Sequence, residues 1–421
     1  MPEVDPTTAI EAAFRIEFPR LVAGLTRTTG DVALAEELAQ DALVDALVQW
    51  PEQGTPQNPG AWLMAVAKRK AIDRFRRDRT RDAKYAEIGR GEPGPSAESA
   101  APPGTDATLE DDIDDDVLRL VFVACHPVLS VPARTALTLR LVGGLTTAEI
   151  ARAYLIPEAT VKQRILRAKR TIADAEVPFE VPTGEDRAGR LASVLEVIYL
   201  VFNEGYTASA GSDWMRPGLC AEALRLGRVL SGLVPDEPEV HGLTALMEIQ
   251  ASRLHARVGP DGEPVLLVDQ DRHRWDRLLI RRGHAALDRA RELGGEDGPY
   301  ALQAAIAACH ADAFRIEETD WPQVVALYGR LVEVAPSPIV ELNRAVAVSM
   351  AFGPEPALDL VDQLVASGTL DGYHLLPGVR GDLLEKLGRT DEAAAEFRRA
   401  AALTDNASVQ RLLLDRAGDA S

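Results

Sequence analysis

The sequence predicts an all-α chain built from several domains. Aromatic residues make up only 5% of the 421 residues, whereas Ala and Leu are abundant, and this balance favours helices over sheets. Apolar residues recur at helical spacing along most of the chain, and clusters of Pro and Gly separate these stretches. At roughly 100–200 residues per domain, the length predicts two to four domains.

The first predicted domain, residues 1–84, consists of helices followed by a strongly basic helix. Residues 10–50 have helical periodicity with Asp31 as an N-cap, and Pro and Gly residues mark a loop over 51–60. The apolar stripe predicted before this loop consists of Leu34, Leu38, Leu43 and Leu47. A helix then runs from Trp62 to about Arg81, and its apolar residues are Trp62, Leu63, Val66, Ile72 and Phe75.

The next predicted segment is a flexible linker over residues 85–116. It is rich in Pro, Gly and acidic residues, and such a composition cannot bury a core. Helical periodicity resumes at Val117 and runs to about Ala175, which defines the domain 117–175. Pro and Gly residues between Val177 and Gly189 mark another boundary, and residues 176–421 are predicted to be almost wholly helical. The breaks predicted within this last part are 211–218, 235–238, 259–264, 294–299, 336–338 and 353–356.

The net charge of −19 at first argues against a nucleic-acid binder. The charge is segregated, however. Residues 61–84 and 117–175 each carry a net charge of +6, whereas 1–60, 85–116 and 176–421 carry −7, −9 and −15. The two basic segments are therefore candidate phosphate-binding surfaces. The alternative is that each is simply the solvated face of a helix.

Several classes of protein are excluded by what the sequence lacks. No run of 18 apolar residues occurs, so neither a membrane span nor a membrane partner is expected. Cys125, Cys220 and Cys309 are far apart and odd in number, which argues against disulfides and predicts a cytoplasmic location. No CxxC, HExxH, Walker or GxSxG motif occurs, so we predict no metal, cofactor or catalytic residue. The neighbours Cys125–His126 and Cys309–His310 lack ligand spacing and are interpreted as buried cysteines beside incidental histidines.

Residues 145–172 have the pattern of a helix-turn-helix. Thr146 or Thr147 caps a short helix, Leu155 to Pro157 form the turn, and Pro157 or Glu158 opens a second helix. The buried stripe predicted for this second helix is Val161, Ile165 and Ala168. In such a motif the second helix enters the major groove with its N-terminal half at the bases. We expect base edges or nearby phosphates to be contacted by Thr160, Lys162, Gln163 and Arg164, and phosphates by Arg167, Lys169 and Arg170. The alternative is a helical hairpin with a basic rim.

The ordered set of these motifs resembles conserved regions 2 and 4 of the extracytoplasmic-function (ECF) sigma factors of the sigma-70 family. Region 2 of that family has the pattern E-D-L-x-Q-E, followed by W-L-x-x-I-A-R-N-x-x-x-D-x-x-R-R. The first part is matched by Glu36, Glu37, Leu38, Gln40 and Asp41, and the second by Trp62, Leu63, Val66, Ala67, Asp73, Arg76 and Arg77. The segment from Leu137 to Arg170 is similar to region 4. The resemblance covers about 10–81 and 117–175, and it implies a region 2 helical bundle, an acidic linker and a region 4 helix-turn-helix.

The resemblance also implies a function without chemistry of its own, which is to lend promoter specificity to core RNA polymerase. The chain would contact the polymerase clamp and flap, with Glu37, Gln40 and Asp41 on the clamp. The −10 element would be bound by Lys68, Arg69, Lys70, Arg74, Arg76 and Arg77. The helix over 158–170 would bind the −35 element as duplex DNA. The loop Gln53–Gly60 would hold an extruded base, and Trp62 would belong to the core or stack on a base. The linker would thread the polymerase channel, or its charge would serve only solubility. Arg69 replaces an asparagine that is common in the family, and this changes the expected base contact.

Residues 176–421 resemble the helical, tetratricopeptide-like extension of one ECF subgroup, in stretches such as 198–209 and 337–348. Gly353 and Gly388 lie 35 residues apart, close to the 34-residue tetratricopeptide period. The resemblance implies regulation in cis, with a regulatory protein or peptide as a candidate partner. One polar set either lines a groove for such a partner or forms buried hydrogen-bonding networks: Asn203, Glu204, Tyr206, Asp269, Gln270, Asp271, Arg272 and Trp275.

Two other functions remain as alternatives. A helix-turn-helix regulator with a ligand- or protein-binding helical domain would bind duplex promoter DNA without core polymerase. An enzyme that used His273, His284 or His310 as acid–base groups would need a nearby nucleophile, carboxylate or metal spacing, and the sequence offers none. A requirement for core polymerase therefore separates the sigma-factor hypothesis from the first alternative.

Overall fold

The computed structural model describes residues 6–89, 109–154, 156–207, 215–259, 264–404 and 406–418. Within these ranges the chain is helical almost throughout, and an isolated bridge joins Val258 to Pro264. The predicted all-α class is therefore confirmed. The chain divides into two compact units, Met1–Val197 and Ile198–Ser421, which are described separately.

The helices follow one another with short connections in both units. The first unit contains α1 (Pro6–Thr29), α2 (Val32–Gln53), α3 (Pro59–Gly89), α4 (Leu109–Ala124), α5 (Val131–Leu141), α6 (Thr147–Tyr154), α7 (Glu158–Asp174) and the first part of α8 (Glu185–Tyr206). The second unit contains the rest of α8, α9 (Pro217–Leu233), α10 (Pro238–Ala251), α11 (Arg277–Glu292), α12 (Pro299–Asp312), α13 (Trp321–Val334), α14 (Pro338–Phe352), α15 (Pro354–Ser367), α16 (Leu375–Lys386), α17 (Thr390–Ala402) and α18 (Ala407–Arg416).

Helices α1, α2 and α3 pack together as a bundle. The leucine stripe predicted for α2 is wrong in part, because only Leu38 is buried, whereas Leu34 and Leu43 are half-buried and Leu47 is 39% exposed. The buried face of α2 consists instead largely of small residues, namely Ala35, Ala39, Ala42 and Ala46. Alanine at a helix contact allows a short interaxial distance, so this face packs against α1 and α3 while the larger side chains lie at its edges.

The ends of α2 follow local capping chemistry. The Asp31 carboxylate accepts hydrogen bonds from the backbone N–H groups of Ala33 (2.7 Å) and Leu34 (3.2 Å), so the predicted N-cap is confirmed. At the other end, Gly54 has a φ of 85° and donates its N–H to the carbonyl of Trp50 at 2.9 Å. This glycine ends the helix, so the loop before α3 is shorter than the predicted 51–60.

The helices on both sides of the predicted linker extend into it. Helix α3 continues to Gly89, and α4 begins at Leu109, eight residues before the predicted restart at Val117. The expectation of a linker over all of 85–116 is thus wrong at both ends, and 90–108 lies outside the described residues. An acidic run is compatible with a helix start, because negative charge near a helix N-terminus is stabilised by the exposed N–H groups.

The first part of α8 is anchored on α4 and α5. Arg190 donates to the carbonyl of Phe122 at 3.1 Å, and the Ser193 hydroxyl donates to the carbonyl of Cys125 at 2.6 Å. The guanidinium of Arg134 in turn donates to Ser193. These buried contacts hold α8 up to Val197 in the first unit, and the boundary between the two units falls within this helix.

The second unit is a linear array in which each helix packs mainly on its neighbours in sequence. Among the described residues, three hydrophobic clusters follow one another along this unit. The first includes Ile249 and Trp275, the second includes Leu302 and Leu327, and the third includes Phe397. This order is typical of a helical repeat protein, where each helix pair is stabilised by the next. None of the described helices is long and apolar enough to cross a membrane.

The repeat expected at the end of the chain is present as helix pairs. Gly353 separates α14 from α15 with a φ of 97°, and Gly388 separates α16 from α17 with a φ of 75°. A positive φ suits glycine, which explains why these two turns carry that residue. Elsewhere in the unit, Gly242 of α10 lies so close to α12 that a Cβ there would be 2.7 Å from the backbone nitrogen of Ala301.

Candidate nucleic-acid and protein interfaces

The predicted helix-turn-helix is formed by α6 and α7. Thr146 caps α6, because its Oγ1 accepts from the N–H of Glu149 (3.1 Å) while the Glu149 carboxylate accepts from the N–H of Thr146 (2.7 Å). The Thr147 hydroxyl donates to Glu158 at 3.0 Å and so connects the two helices. Of the two predicted caps, Thr146 is therefore the correct one. Leu155, in the predicted turn, lies outside the described residues.

Helix α7 separates an apolar face from a cationic face. The predicted stripe of Val161, Ile165 and Ala168 is buried, and Ile172 extends it by one turn. The predicted DNA-contacting side chains divide into two groups: Lys162, Gln163, Arg167 and Arg170 are exposed, and Thr160, Arg164 and Lys169 are half-buried. The cationic face therefore presents most of its predicted contacts to solvent, with Lys162 also 2.8 Å from Glu158.

Lys169 differs from the other cations of α7 because it pairs with Glu36 of α2. The Lys169 side chain is 14% exposed and its ammonium donates to Oε2 of Glu36. Arg140 of α5 donates its Nε–H to Oε1 of the same carboxylate at 2.6 Å, and Gln40 donates to that oxygen at 2.6 Å. Sequence reasoning missed this cluster, since a pairing across more than 100 residues leaves no local signal.

The carboxylate of Glu36 remains ionised in this environment. Burial alone would raise the pKa of Glu36, but the charges and hydrogen bonds of Lys169 and Arg140 outweigh burial and lower its pKa below the usual range. Glu36 is only 4% exposed, so a buried anion is held between two cations. Such a pair is costly to break, because either side left alone would be a desolvated, unpaired charge.

Helix α3 carries the cations predicted for the −10 element. Arg69, Arg76 and Arg77 are exposed, and Lys68, Lys70 and Arg74 are half-buried. Two of these form ion pairs with α2: Lys70 lies 3.1 Å from Asp45, and Arg74 lies 2.6 Å from Glu37. The structure thus brings Arg74 together with Glu37, a residue predicted to bind polymerase. The two other predicted polymerase contacts are also on α2, where Gln40 is half-buried and Asp41 is exposed.

Exposed apolar side chains next to these charges were missed by the sequence reasoning. On α2, Val44 and Val48 are 58% and 66% exposed. On α3, Ile72 and Phe75 are 46% and 40% exposed, although the sequence analysis grouped them with the apolar residues of this helix. The remaining apolar residues Leu63 and Val66 fill the core-facing side of α3. Large apolar groups clustered at the surface are typical of a binding site.

The loop between α2 and α3 lies beside a tryptophan pair. Trp62 is half-buried and packs edge-on against the buried Trp50, with ring centroids 5.4 Å apart. This contact agrees with the prediction that Trp62 contributes to the core. Asn58 in the loop accepts a hydrogen bond from the N–H of Ala61 at 3.0 Å and so fixes the start of α3.

The polar set of the second unit forms largely buried networks. Arg272 is 4% exposed and donates to the carbonyls of His310 (2.8 Å) and Ala313 (3.0 Å). Tyr206 accepts from Arg253 and has the guanidinium of Arg257 stacked on its ring at 3.5 Å. Three further members lie at the edges of these networks: Glu204 pairs with Arg216, Asp271 caps a short 3₁₀ turn, and Gln270 donates to the carbonyl of Val265. Of the two alternatives, these contacts fit a hydrogen-bonding network better than a groove.

A separate cleft lies between α11, α12 and α13. Its volume is about 220 Å³ and its lining includes His284, Arg291, Cys309, Asp312, Gln323 and Arg330. His284 Nε2 lies 2.8 Å from the Asp312 carboxylate. None of these residues except His284 was singled out in the sequence for a site, and the cleft arises from the stacking of three helices.

The three cysteines are not reactive thiols. Cys125 and Cys220 are buried and Cys309 is half-buried. Burial raises the pKa of the three thiols to about 11, 12 and 11 respectively. At neutral pH they are therefore protonated, as the interpretation of Cys125 and Cys309 as packing residues requires.

Comparison with known proteins assigns the same regions. Residues 14–81 match the family sigma-70 region 2, residues 119–172 match sigma-70 region 4, and residues 190–291 match a family of unknown function, DUF6596. A protein of Rhizobium meliloti (strain 1021), the uncharacterized protein R00370, is 45% identical over 403 residues, which cover 93% of this chain and 90% of that protein.

Two sigma factors of Mycobacterium tuberculosis (strain ATCC 25618 / H37Rv) are also similar. The probable ECF RNA polymerase sigma factor SigI is 26% identical over 209 residues, 47% of this chain and 69% of that protein. The ECF RNA polymerase sigma factor SigL is 32% identical over 148 residues, 35% of this chain and 76% of that protein. With regions 2 and 4 both matched and SigL covered over three quarters of its length, the chain belongs to the ECF sigma factors of the sigma-70 family and is an RNA polymerase sigma factor with a C-terminal extension.

Proposed function

We propose that this sigma factor directs promoter-specific initiation by dividing recognition between three helices. Helix α2 binds core RNA polymerase, α3 binds the −10 element and α7 binds the −35 element. The observation that carries the proposal is the pairing of two cationic helices, α3 and α7, with an exposed acidic and apolar face on α2. An acidic chain that bound DNA without a partner would not need the exposed acidic and apolar face of α2.

The cationic face of α7 supports binding to duplex DNA. Its buried stripe leaves Lys162, Gln163 and Arg167 exposed on the opposite side, where a helix in the major groove meets base edges and phosphates. The Thr146 cap and the bond from Thr147 to Glu158 fix the angle between α6 and α7. A fixed angle allows α6 to cross the backbone while α7 lies in the groove.

The surface of α3 supports binding to an opened strand. Arg69, Arg76 and Arg77 supply positive charge along the helix, and the exposed ring of Phe75 lies among them. Aromatic rings beside cations bind single-stranded nucleic acid, because bases stack on the rings while phosphates pair with the cations. We therefore add Phe75 to the predicted −10 contacts.

The second unit, in this proposal, regulates the factor by binding a peptide or protein. The cleft is lined by His284, Arg291, Gln323 and Arg330 and also by Glu296 and Asp312, and this mixed charge would suit a polar side chain of a bound peptide. A helical array of this type presents such clefts between successive helix pairs.

Run-off transcription with purified core polymerase tests the main proposal. The full-length chain is expected to direct specific transcripts from genomic promoter fragments only when core polymerase is present. In parallel, the chain alone is expected to bind the same fragments weakly, because its overall negative charge repels DNA. Tight, specific duplex binding by the chain alone, without specific transcripts, would instead favour a helix-turn-helix regulator.

A further inference from the structure

A second groove of the C-terminal unit lies between α9, α10 and the start of α11. Its volume is about 470 Å³, compared with about 220 Å³ for the cleft between α11, α12 and α13. Most of its lining is apolar, and these apolar residues are Met215, Pro217, Ala221, Leu224, Ala251, Leu254, Val258 and Leu279. Concave sites of about 300–1,000 Å³ with apolar walls are typical of ligand binding. The groove is therefore large enough to take apolar side chains of a partner.

The start of α11 is fixed against the end of α10 and so holds the groove open. The N–H of Asp276 donates to the carbonyl of Ser252, the residue after α10, at 2.9 Å. The Asp276 carboxylate in turn accepts from the N–H groups of Leu278 (2.8 Å) and Leu279 (3.2 Å) and so caps α11. Because the groove is preformed, a partner would not have to order it on binding.

Unpaired arginines lie along the α11 side of this groove. Arg274 lines the groove and is exposed. Arg282 is exposed three residues after the lining residue Leu279, so the two are neighbours on the surface of α11. Arg281 is also exposed, and Arg277 is half-buried. Within the part of the chain that the structure describes, none of these four arginines forms an ion pair with a carboxylate.

Other arginines of the same helices are paired. Arg225, Arg228 and Arg289 each lie within 3.2 Å of a carboxylate oxygen. Residues 176–421 carry a net charge of −15, so carboxylates are in excess in this part of the chain. Unpaired positive charge at one edge of an apolar groove therefore favours a partner that carries both carboxylates and apolar side chains.

Two other occupants fit the groove less well. Duplex DNA would place its phosphates against an apolar surface that also contains Asp276, and the acidic charge of this part of the chain would repel it. A segment of the chain itself would need both acidic and apolar side chains. The acidic run over 110–116 is part of α4 in the first unit, and residues 90–108 contain no Leu, Ile, Val, Met or aromatic residue.

We propose that this groove docks an acidic segment of a partner protein, whose apolar side chains enter the groove while its carboxylates pair with Arg274 and Arg282. The groove shares none of its described lining residues with the cleft that contains His284. The inference goes beyond the proposed function and does not depend on it, since docking of this segment needs neither core polymerase nor promoter DNA.

Selection from a random peptide library displayed on phage tests the proposal with the full-length chain as bait. Counter-selection on the Ala221→Glu chain removes peptides that bind elsewhere, such as to the cationic faces of α3 and α7. The peptides that remain are expected to combine Asp or Glu with Leu, Phe or Trp. The affinity of a fluorescently labelled selected peptide is then measured by anisotropy.

Two variants separate the apolar and the electrostatic parts of the site. Ala221 is exposed on the α9 wall, and Ala221→Glu puts a carboxylate into the groove, which is expected to weaken peptide binding at least about tenfold. Arg274→Glu is expected to weaken it about tenfold at low salt and less at high salt. The matched controls are Ala395→Glu and Lys386→Glu, at exposed positions on α17 and α16, and both are expected to keep the wild-type affinity.

The outcomes that would overturn the proposal are distinct. They are a library that yields no peptide after counter-selection, selected peptides without carboxylates, and equal affinity of a selected peptide for Arg274→Glu and Lys386→Glu. Arg274→Glu also replaces Ala221→Glu in the counter-selection if circular dichroism shows that the latter has lost helicity. Binding of a short labelled DNA duplex that is lost in Arg274→Glu and kept in Lys386→Glu, with no peptide selected, would assign the surface to nucleic acid instead.

Discussion

Arg164 and Arg167 of α7 are the residues on which −35 recognition is predicted to depend most directly. Arg164 is half-buried at the edge of the helix-turn-helix core and Arg167 is exposed one turn later. Arg167 lies on the side of α7 that faces away from Val161 and Ile165, whereas Arg164 lies between that side and the buried stripe. A contact from Arg164 to a base pair would contribute about 1–3 kcal/mol to discrimination between sequences, whereas a phosphate contact from Arg167 would add affinity without discrimination.

Arg164→Ala and Arg167→Ala are each expected to lower −35-dependent run-off transcription about tenfold, because each removes a contact of at least about 1 kcal/mol. The measurement is transcription by reconstituted holoenzyme on promoters with an intact or a scrambled −35 element. Arg20→Ala on α1, whose side chain is 49% exposed, serves as the control and is expected to leave transcription unchanged. Full activity of both α7 variants would remove the recognition-helix assignment.

His310 is a residue at which pH affects the stability of the second unit. It is 8% exposed and packs edge-on against Trp321, with ring centroids 5.1 Å apart. Burial lowers the pKa of His310 to about 3, and the charges of Arg253 and Arg272 act in the same direction. The unfolded chain binds a proton near pH 6.5, so the folded state loses stability as the pH falls from about 6.5 towards 3.

His310→Phe is expected to weaken this pH dependence. Between pH 7 and pH 5 the free energy of unfolding of the wild-type second unit should fall by about 2 kcal/mol because of His310. The variant should not show this loss. Urea denaturation of the second unit at both pH values measures the difference, and His273→Phe, an exposed histidine, is the control. If the variant and the wild type lost equal stability, His310 would not be the group that titrates on unfolding.

At the scale of helices, glycine decides how closely α10 and α12 approach. A Cβ at Gly242 would lie 2.7 Å from the backbone nitrogen of Ala301 and 3.1 Å from its Cα. A side chain could relieve such a clash by changing its rotamer, but the backbone of α12 cannot. Gly242→Ala is therefore expected to destabilise the second unit by about 1–3 kcal/mol. Gly329→Ala in α13, where no atom lies within 4 Å of the added Cβ, should instead stabilise it by up to about 1 kcal/mol. Thermal or urea unfolding of both variants checks the opposite signs.

Helix α2 offers the corresponding test for polymerase binding. Val48 is 66% exposed on this helix, and a glutamate there would bring an unpaired charge into an apolar contact. Val48→Glu is expected to weaken binding to core polymerase at least about tenfold, as for a central interface residue. Val128→Glu, the same change at a position 44% exposed between α4 and α5, is the control for binding measured by native gel or calorimetry. Unchanged affinity of Val48→Glu would show that α2 is not the docking helix.

At the scale of the whole molecule, the two compact units predict where the C-terminal extension can be removed. Residues 190 and 193 of α8 are bonded to α4 and α5, so a cut before α8 would strip buried contacts from region 4. A chain that ends at residue 207 keeps them. We expect this truncation to change promoter output at least about tenfold, because it removes most of the acidic charge that opposes DNA binding. The reporter assay uses the full chain and the 1–207 chain at matched abundance, and equal output would contradict a regulatory role.

Much of this organisation could be predicted because its causes are local. The Asp31 cap, the α7 stripe of Val161, Ile165 and Ala168, and the glycine turns at 353 and 388 all follow from neighbours within one or two helical turns. The two basic segments could be found by counting charges along the chain. Some local predictions were wrong because packing determines which of several apolar residues are buried. The alanine face of α2 and the exposed ring of Phe75 are examples.

The sequence by itself thus determined the class of protein, the identity of the two cationic helices and the turns between most elements. Only the tertiary structure decided that Lys169 of α7 and Arg140 of α5 share Glu36 of α2, and that Arg74 lies against Glu37. The physical reason is that helix periodicity and capping depend on residues a few positions apart. A buried ion pair depends instead on which distant surfaces come together. A charge that is removed from water in such a contact requires a partner, whereas an exposed charge does not.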